Sequence, residues 1–543
     1  GTISSLNEGI FFQNTTITTL NNTGTINSST YKAIEVSSGT SIENFTNSGK
    51  ISGSTSTHAI NLASGATIDN FTNSGSIIGG NGGNTAAINL ASGSNIKTFT
   101  NGNNGFISGS SGHGIYIASG VSIKTLKNSG SIVGRNGGGI RVKGPNATID
   151  TIDNSGIING LNTWQGAISI SDWSGRFKVG TIKNSGTLTG GTGIDILNAD
   201  IDLIENSGTI ISTAKDSVAD AGIQLHTSDI KTLKNTGYIQ SQSYGVEIIT
   251  YRGNTTLNNL INSGTIEGKI DGLLIIQGTK TDYIENTGVI KGENAGINVD
   301  FQSWNQKKSG TVGTIVNKDS GEIVGNNYGI IIPTSSADYT VEAVKIESGK
   351  VEGTNGAGIA LGADQDISTS IEISGENTVV TGGKAGIVNE GNLGANGSGG
   401  ITISNGATIT SNSGNGSGIV NQGNGSIAGD IKVESGASIE GGITNAGNGS
   451  ISGSIVVEEN SKLDSITNTS TSNTGISGSI TNNSNNNLSI SNSGNIGGKI
   501  ESTGSADMVI NNSGEGTINQ GIVSSGNGST SIANSEGATI KNG

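Results

Sequence analysis

Residues 41–53 read SIENFTNSGKISG and residues 67–79 read TIDNFTNSGSIIG, so one pattern returns in the next segment of the chain. Its anchor is an Asn-Ser/Thr-Gly triplet that is followed two positions later by an aliphatic residue. The triplet recurs from Asn22 to Asn286, mostly at intervals of about 22 to 30 residues, the length of one supersecondary repeat. A repeat this short cannot bury its own apolar side chains, so successive copies must stack on one another.

Each repeat carries three short apolar segments. A large apolar residue stands two positions before the triplet Asn, as at Leu20 and Phe45. An aliphatic residue lies a further three positions before that apolar residue. A third segment alternates, as at Ile60 and Leu62. Alternation and β-branched residues favour strands. The sequence therefore predicts an all-β fold, a right-handed parallel β-helix (solenoid) with three short strands per coil and roughly twenty coils.

The triplet is expected to form one corner of every coil. Its Asn amide is able to donate to one neighbouring coil and accept from the other, which predicts an asparagine ladder. Its Gly is expected to supply a positive φ at this corner. Phe45, Phe71 and Phe99 fall in one column of the repeat, so we expect their rings to stack inside the core.

The repeat motif changes at about residue 350. The triplet gives way to Gly-Ile-Val/Thr-Asn units, as in residues 386–389 and 418–421, and no aromatic residue follows Tyr339. We therefore divide the chain into residues 1–350, a β-helix with Asn-Ser/Thr-Gly repeats and corner insertions, and residues 351–543, a Gly/Ser/Asn-rich β-helical stalk.

Composition and charge exclude several classes of protein. The 543 residues include 91 Gly, no Cys and only 3% aromatic residues, and the formal net charge is −14. Without Cys there are no disulfides, thiolate zinc sites or thiol nucleophiles. Nucleic acid and anionic lipid repel an acidic chain, and no apolar run has the length of a membrane span. We therefore expect no nucleic-acid partner and no membrane insertion by this segment.

The sequence predicts no catalytic residue, cofactor or metal site. Its acidic residues are scattered, whereas polysaccharide-cleaving enzymes need clustered carboxylates. The Asp-Ser-Gly stretch at 319–321 keeps the register of the repeat and is expected to be a corner variant rather than a protease nucleophile. His58 and His113 are expected to be solvated turn residues. We therefore expect that the chain is not an enzyme.

Insertions recur at one corner of the repeat, between the alternating segment and the next coil. They lie between Ile168 and Val179, after Ile248, and between Ile297 and Val312. Solenoids tolerate extra length at corners, where binding loops can grow. The aromatic and basic residues of these insertions form the candidate ligand-binding set: Trp173, Arg176, Phe177, Tyr251, Arg252, Phe301, Trp304, Lys307 and Lys308.

Because these insertions share one point of the repeat, we expect them to project from one edge of the stack. Aromatic faces stack on sugars, while Arg and Lys pair with acidic glycans or with carboxylates of a protein. A second interpretation is that the rings only cover enlarged loops, and the sequence leaves both open. Trp164 lies at a different corner and is expected to pack there.

The Asn-Ser/Thr-Gly-x-Ile repeats, the absence of Cys and the Gly/Ser/Asn/Thr composition resemble the passenger domains of type V autotransporters along essentially the whole chain. The resemblance implies secretion across two membranes, a right-handed β-helix and frequent roles in adhesion, self-association or toxicity. It also implies a location at the bacterial cell surface, associated with the outer membrane, or in the secreted fraction.

Together these features predict an adhesin that binds a glycan or protein on a host or neighbouring cell through the insertion edge. Self-association in a biofilm and a structural role in a surface layer remain the alternatives. A toxin or a polysaccharide-cleaving enzyme is less favoured, because no catalytic pattern accompanies the repeats.

Overall fold

The computed structural model describes the chain except for residues 55–56, 80–84, 162–164, 215–219, 251, 277, 301–309, 335–338, 395–396, 398, 415, 536 and 543. The described residues form two compact units, Gly1–Lys269 and Ile270–Gly543. Each unit is a parallel β-solenoid built of three sheets, here called A, B and C, and the two units together have about 19 turns. This confirms the predicted β-helix with three strands per coil. No helix in the described part of the chain is long and apolar enough to cross a membrane.

In the first unit every coil runs through sheets A, B and C in turn. The strands of sheet A are Thr2–Ser5, Thr25–Ser28, Lys50–Ser52, Ser76–Gly79, Phe106–Gly109, Ser131–Gly134, Ile157–Gly160, Thr187–Gly190, Thr209–Ser212, Tyr238–Ser241 and Thr265–Gly268. Those of sheet B are Ile10–Phe12, Ile34–Val36, Ile60–Leu62, Ala86–Leu90, His113–Ile117, Ile140–Val142, Ile168–Ser171, Ile194–Leu197, Ala221–His226 and Tyr244–Ile249. Those of sheet C are Thr16–Asn22, Ser41–Asn47, Thr67–Asn73, Asn95–Asn101, Ser122–Asn128, Thr148–Asn154, Phe177–Asn184, Ala199–Asn206, Asp229–Asn235 and Thr255–Asn262.

The second unit contains the same three sheets. Sheet A holds Val289–Gly292, Glu322–Gly325, Lys350–Gly353, Val379–Gly382, Thr408–Ser411, Ser438–Ile439 and Lys462–Leu463. Sheet B holds Asp271–Ile275, Ala295–Asn298, Tyr328–Ile332, Ala357–Leu361, Ala385–Asn389, Ile419–Asn421, Ile443–Asn445, Ser465–Asn468, Leu488–Asn492, Met508–Asn512 and Thr530–Asn534. Sheet C holds Thr279–Asn286, Gly310–Asn317, Tyr339–Ile346, Asp366–Ser374, Asn392–Leu393, Ile401–Ser404, Ser426–Ile427, Ile431–Val433, Ser450–Ile451, Ile455–Val457, Ile480–Asn482, Ile500–Ser502 and Ile522–Ser524. Three further short strands, Asn495–Ile496, Thr517–Ile518 and Thr539–Ile540, form a small sheet.

The core consists of columns of identical or similar side chains in register. Phe45, Phe71 and Phe99 are paired across neighbouring strands of sheet C and are at most 1% exposed. Their ring centroids lie 4.7 Å and 4.6 Å apart, which is the spacing of stacked strands. The predicted phenylalanine stack is confirmed.

The triplet asparagines form the predicted ladder at the corner between sheets C and A. The Nδ2 of Asn101 donates to the Oδ1 of Asn128, and the Nδ2 of Asn128 donates to the Oδ1 of Asn154, both at 2.7 Å. Asn128 is fully buried, and its Nδ2 also lies within hydrogen-bond distance of the carbonyl of Gly130. A buried amide that satisfies its donors and its acceptor through neighbouring coils fixes their register.

We expect that Asn128→Ala lowers the free energy of unfolding of the first unit by about 2 kcal/mol, because it leaves buried donors and acceptors without partners. Asn70→Ala is the matched control, since exposed Asn70 makes a similar amide bond to Asn44 at 3.1 Å. That variant should unfold at almost the wild-type urea concentration. Equal urea midpoints for the two variants would contradict a stabilising role for the buried ladder.

The triplet glycine is required by close stacking and not by a positive φ, so that part of the sequence interpretation was wrong. A Cβ added to Gly156 would lie 2.1 Å from the carbonyl oxygen of Gly130, and one added to Gly186 would lie 2.1 Å from that of Gly156. The φ angles of these three glycines lie outside the left-handed region. Positive φ occurs instead after sheet B, for example at Gly65, where φ is 72°.

Gly156→Ala should lower the thermal unfolding temperature markedly, with a free-energy loss of about 2 kcal/mol, because stacked backbones have to move apart to admit the methyl group. Gly414→Ala provides the control, since a Cβ there meets nothing within 4 Å. Circular dichroism at the β-sheet band gives the measurement. Equal thermal unfolding temperatures for Gly156→Ala and Gly414→Ala would show that the corner has room for the methyl group.

The asparagine ladder changes corner within the second unit. In sheet C it reaches Asn317, after which Ile346 takes the paired position. A new ladder begins at Asn389, the last residue of a sheet B strand, and its Nδ2 donates to the Oδ1 of Asn421 at 2.7 Å. The Gly-Ile-x-Asn motif thus marks a ladder at the corner between sheets B and C.

Candidate functional site

The predicted insertions of the first unit lie at one corner, between sheets B and C. Residues 172–176 join the strands Ile168–Ser171 and Phe177–Asn184, and residues 250–254 follow the strand Tyr244–Ile249. Both connections therefore lie between a sheet B strand and the sheet C strand that follows it.

Trp173 is the exposed aromatic residue of the first of these loops. Its side chain is 51% exposed. The guanidinium carbon of Arg252, from a coil three turns later, lies 5.4 Å from the centroid of the Trp173 ring. Two candidate residues that are far apart in sequence thus form a cation–π pair on the surface. This contact joins two loops that lie three coils apart.

Arg176 is held by carboxylates of the next two coils. Its Nε donates to the Oδ1 of Asp200 at 2.8 Å, and its Nη2 donates to the Oδ2 of Asp229 at 2.7 Å. Nη2 also contacts Asp200. We refer to residues 172–176, Asp200, Asp229 and Arg252 as the B–C edge. The Arg176 charge is neutralised within this edge and orients the loop.

The other candidates do not add to this surface. Phe177 is fully buried at the start of its sheet C strand, where it pairs with Ala199, so it belongs to the core and is inaccessible to a ligand. Its place in the candidate set was wrong, because the insertion ends one residue earlier than its length suggested. The remaining candidates and one packing residue lie outside the described residues: Tyr251, Phe301, Trp304, Lys307, Lys308 and Trp164.

The loop that carries Trp173 is fixed by local hydrogen bonds. Asp172 Oδ1 accepts from the backbone N–H and the hydroxyl of Ser174, at 2.8 Å and 2.7 Å. Partial burial raises the pKa of Asp172, but these hydrogen bonds, the charge of Lys143 and a hydrogen bond from the backbone of Gly144 together hold the pKa below its usual value. Asn198 Nδ2 donates to the carbonyl of Gly175 at 3.0 Å. A fixed loop loses little conformational entropy when a ligand binds.

A charged cleft of about 560 Å³ lies beside the edge, on the outer face of sheet C. Gly180 contributes no side chain and so leaves space between its neighbours. On one side, Lys231 Nζ lies 2.5 Å from Asp202 Oδ1. The ionisable residues that line the cleft are Asp150, Lys178, Asp200, Asp202, Asp229 and Lys231. The edge and the cleft share Asp200 and Asp229, so they form one continuous surface.

Sequence reasoning missed a row of polar side chains on the outer face of sheet B in the first unit. They occupy the middle position between two buried aliphatic residues of each strand. Ser169 Oγ donates to Asp195 Oδ2 at 2.7 Å, and Arg141 Nη2 donates to the carbonyl of Ser171 at 3.0 Å. The alternation of the strand was a signal for this row, but it did not identify the partners.

His58 and His113 are half-buried, whereas the sequence interpretation expected solvated turn residues. His58 Nδ1 accepts from the backbone N–H of Ala86, and His113 Nδ1 accepts from that of Gly138, both at 3.0 Å. Burial, followed by the charge of Arg141, lowers the pKa of His113 to about 4. Both rings therefore link one coil to the next. No group of three potential metal ligands occurs among the described residues.

Residues 319–321 form a corner, as predicted. Asn286 Nδ2 donates to Asn317 Oδ1 at 2.7 Å, and Asn317 Nδ2 donates to the carbonyl of Gly321 at 2.6 Å. Ser320 has a φ of 65° in this turn. The Asp-Ser-Gly stretch is thus a longer version of the triplet corner.

Glu247 is the most deeply buried acid among the described residues of the polar row. It is fully buried, and Gln224 Nε2 donates to its Oε2. Burial raises the pKa of Glu247 to about 8; the Gln224 hydrogen bond opposes this shift and the nearby charge of Asp220 adds to it. The carboxyl group is therefore protonated in the folded chain at neutral pH.

The raised pKa predicts a pH-dependent stability. Between pH 6.5 and about 8 the folded state keeps a proton on Glu247 that the unfolded chain has lost, so the free energy of unfolding falls as pH rises. Glu247→Gln should remove this slope in urea unfolding measured from pH 6.5 to 9. Exposed Glu43→Gln serves as the control and should retain it. A wild-type midpoint that stays constant over this range would contradict the assignment.

The second unit has a groove of about 450 Å³ on the outer face of its sheet B. Its floor is formed by one aliphatic side chain from each of four successive coils: Ile331, Ala360, Val388 and Val420. At the side of the groove, Gln422 Nε2 donates to Glu390 Oε1 at 2.7 Å. The groove extends into the segment that the sequence presented as a featureless stalk.

No protein family, no curated protein and no solved structure matches this chain.

Proposed function

We propose that the chain is a bacterial cell-surface or secreted adhesin, of the autotransporter passenger type, that attaches to a neighbouring or host cell through the B–C edge. The observation that carries the proposal is Trp173, a half-exposed indole on a loop fixed by its own hydrogen bonds and paired with Arg252. Aromatic side chains with exposed faces are the usual anchors of binding surfaces.

The rest of the molecule supports a binding role. Only 3% of the residues are aromatic, and the stacked Phe45, Phe71 and Phe99 are buried. The resemblance of the repeats to autotransporter passengers accounts for the scaffold and for the surface or secreted location. At the edge, Asp200 and Asp229 are both engaged by Arg176, which favours binding over catalysis, and the proposal includes no enzymatic activity and no cofactor.

Trp173→Ala should reduce attachment of the purified chain to cells about tenfold, because the loss of one well-packed aromatic contact costs about 1.4 kcal/mol. Tyr31→Ala is the control, since Tyr31 is similarly exposed, at 48%, but lies at another corner. Attachment is measured by flow cytometry with labelled protein, with the β-sheet circular dichroism of each variant recorded first.

Unchanged attachment by folded Trp173→Ala would contradict a role for the B–C edge. Clustering of cells that carry the chain, without attachment to other cells, would instead favour self-association, which remains the alternative function.

A further inference from the structure

The cations at the B–C edge already have partners. Arg176 is bound by Asp200 and Asp229, and Arg252 lies against the Trp173 ring. In the adjoining cleft, Lys231 is paired with a neighbouring aspartate. At Arg176 and Lys231 an anionic ligand would have to displace these carboxylates, and breaking the Arg176 pairs costs the interaction that orients the loop.

The cleft is more acidic than basic. Four aspartates line it, at positions 150, 200, 202 and 229, against two lysines, at positions 178 and 231. The chain as a whole carries a formal charge of −14. With Asp172, Arg176 and Arg252 of the adjoining edge included, the surface has five aspartates and four cations. A sialylated or sulfated glycan would therefore gain no net local attraction, and it would approach against repulsion at longer range.

The same groups suit a hydroxylated ligand without charge. A sugar ring presents one apolar face of C–H bonds, which matches the exposed indole of Trp173, and a rim of hydroxyl groups. Carboxylates such as Asp150 and Asp202 accept hydrogen bonds from hydroxyl groups more strongly than neutral acceptors do. A cleft of about 560 Å³ falls within the usual size of a site for a small ligand.

We infer that the ligand of the B–C edge is a neutral glycan, with one sugar ring stacked on Trp173 and the following rings in the cleft above Gly180. This inference rests on the proposed adhesin function, and it specifies the class of ligand for that same surface. It replaces the broader expectation from sequence, in which Arg and Lys at this edge recognise acidic groups.

The test is binding of the purified chain to immobilised neutral, sialylated and sulfated oligosaccharides at low and high NaCl. The wild type should bind neutral oligosaccharides, with at most about a twofold change between the two salt concentrations, since no exposed charge pair with the ligand is screened. Trp173→Ala should lose this binding. Asp229→Asn removes one partner of Arg176 and should increase binding to sialylated oligosaccharides, whereas Asp69→Asn, exposed on an earlier coil, should not.

Different outcomes would contradict the neutral-glycan inference and the adhesin proposal. Preference for sialylated or sulfated oligosaccharides, with strong loss at high salt, would overturn the neutral-glycan inference and leave the adhesin proposal standing. Attachment that depends on Trp173 but survives removal of the cells' glycans would have the same consequence, because the ligand would then be a protein. Absence of both glycan binding and Trp173-dependent attachment would overturn both.

Discussion

Hydrogen bonds between stacked coils hold this molecule together, because no coil has a core of its own. At the corner between sheets C and A, each buried amide donates to the next, as Asn101 does to Asn128 at 2.7 Å. The backbones approach so closely there that Gly156 has no room for a Cβ beside the carbonyl of Gly130. Register, composition and the shape of the repeat all follow from this stacking.

The same constraint decides where function is able to develop. The corner between sheets C and A, where the backbones are stacked, accepts little extra length, so the longer connections of the first unit lie at the other two corners, as between Ser171 and Phe177 and between Ser212 and Ala221. Residues 172–176 use this freedom to reach Asp200 and Asp229 in the next two coils. From Asn389 onward the ladder occupies the B–C corner, where residues 422–425 form one of the connections.

The sheet B face adds a second kind of contact between coils. Ser169 and Asp195, in neighbouring strands, hydrogen-bond outside the core, and His113 accepts a backbone N–H from the following coil. At Glu247 this arrangement raises the pKa, since burial keeps its carboxyl group protonated at neutral pH. Polar groups therefore link coils on the outside as well as at the asparagine corner.

The sequence by itself determined the strands, the asparagine ladder and the phenylalanine stack, because each depends on a spacing that every coil repeats. It misassigned Phe177 and the histidines, whose burial depends on how individual coils meet. Only the tertiary structure decided that Trp173 lies against Arg252 and that Arg176 is neutralised by Asp200 and Asp229. These partners come from other coils and depend on the conformations of individual loops, which no periodicity encodes.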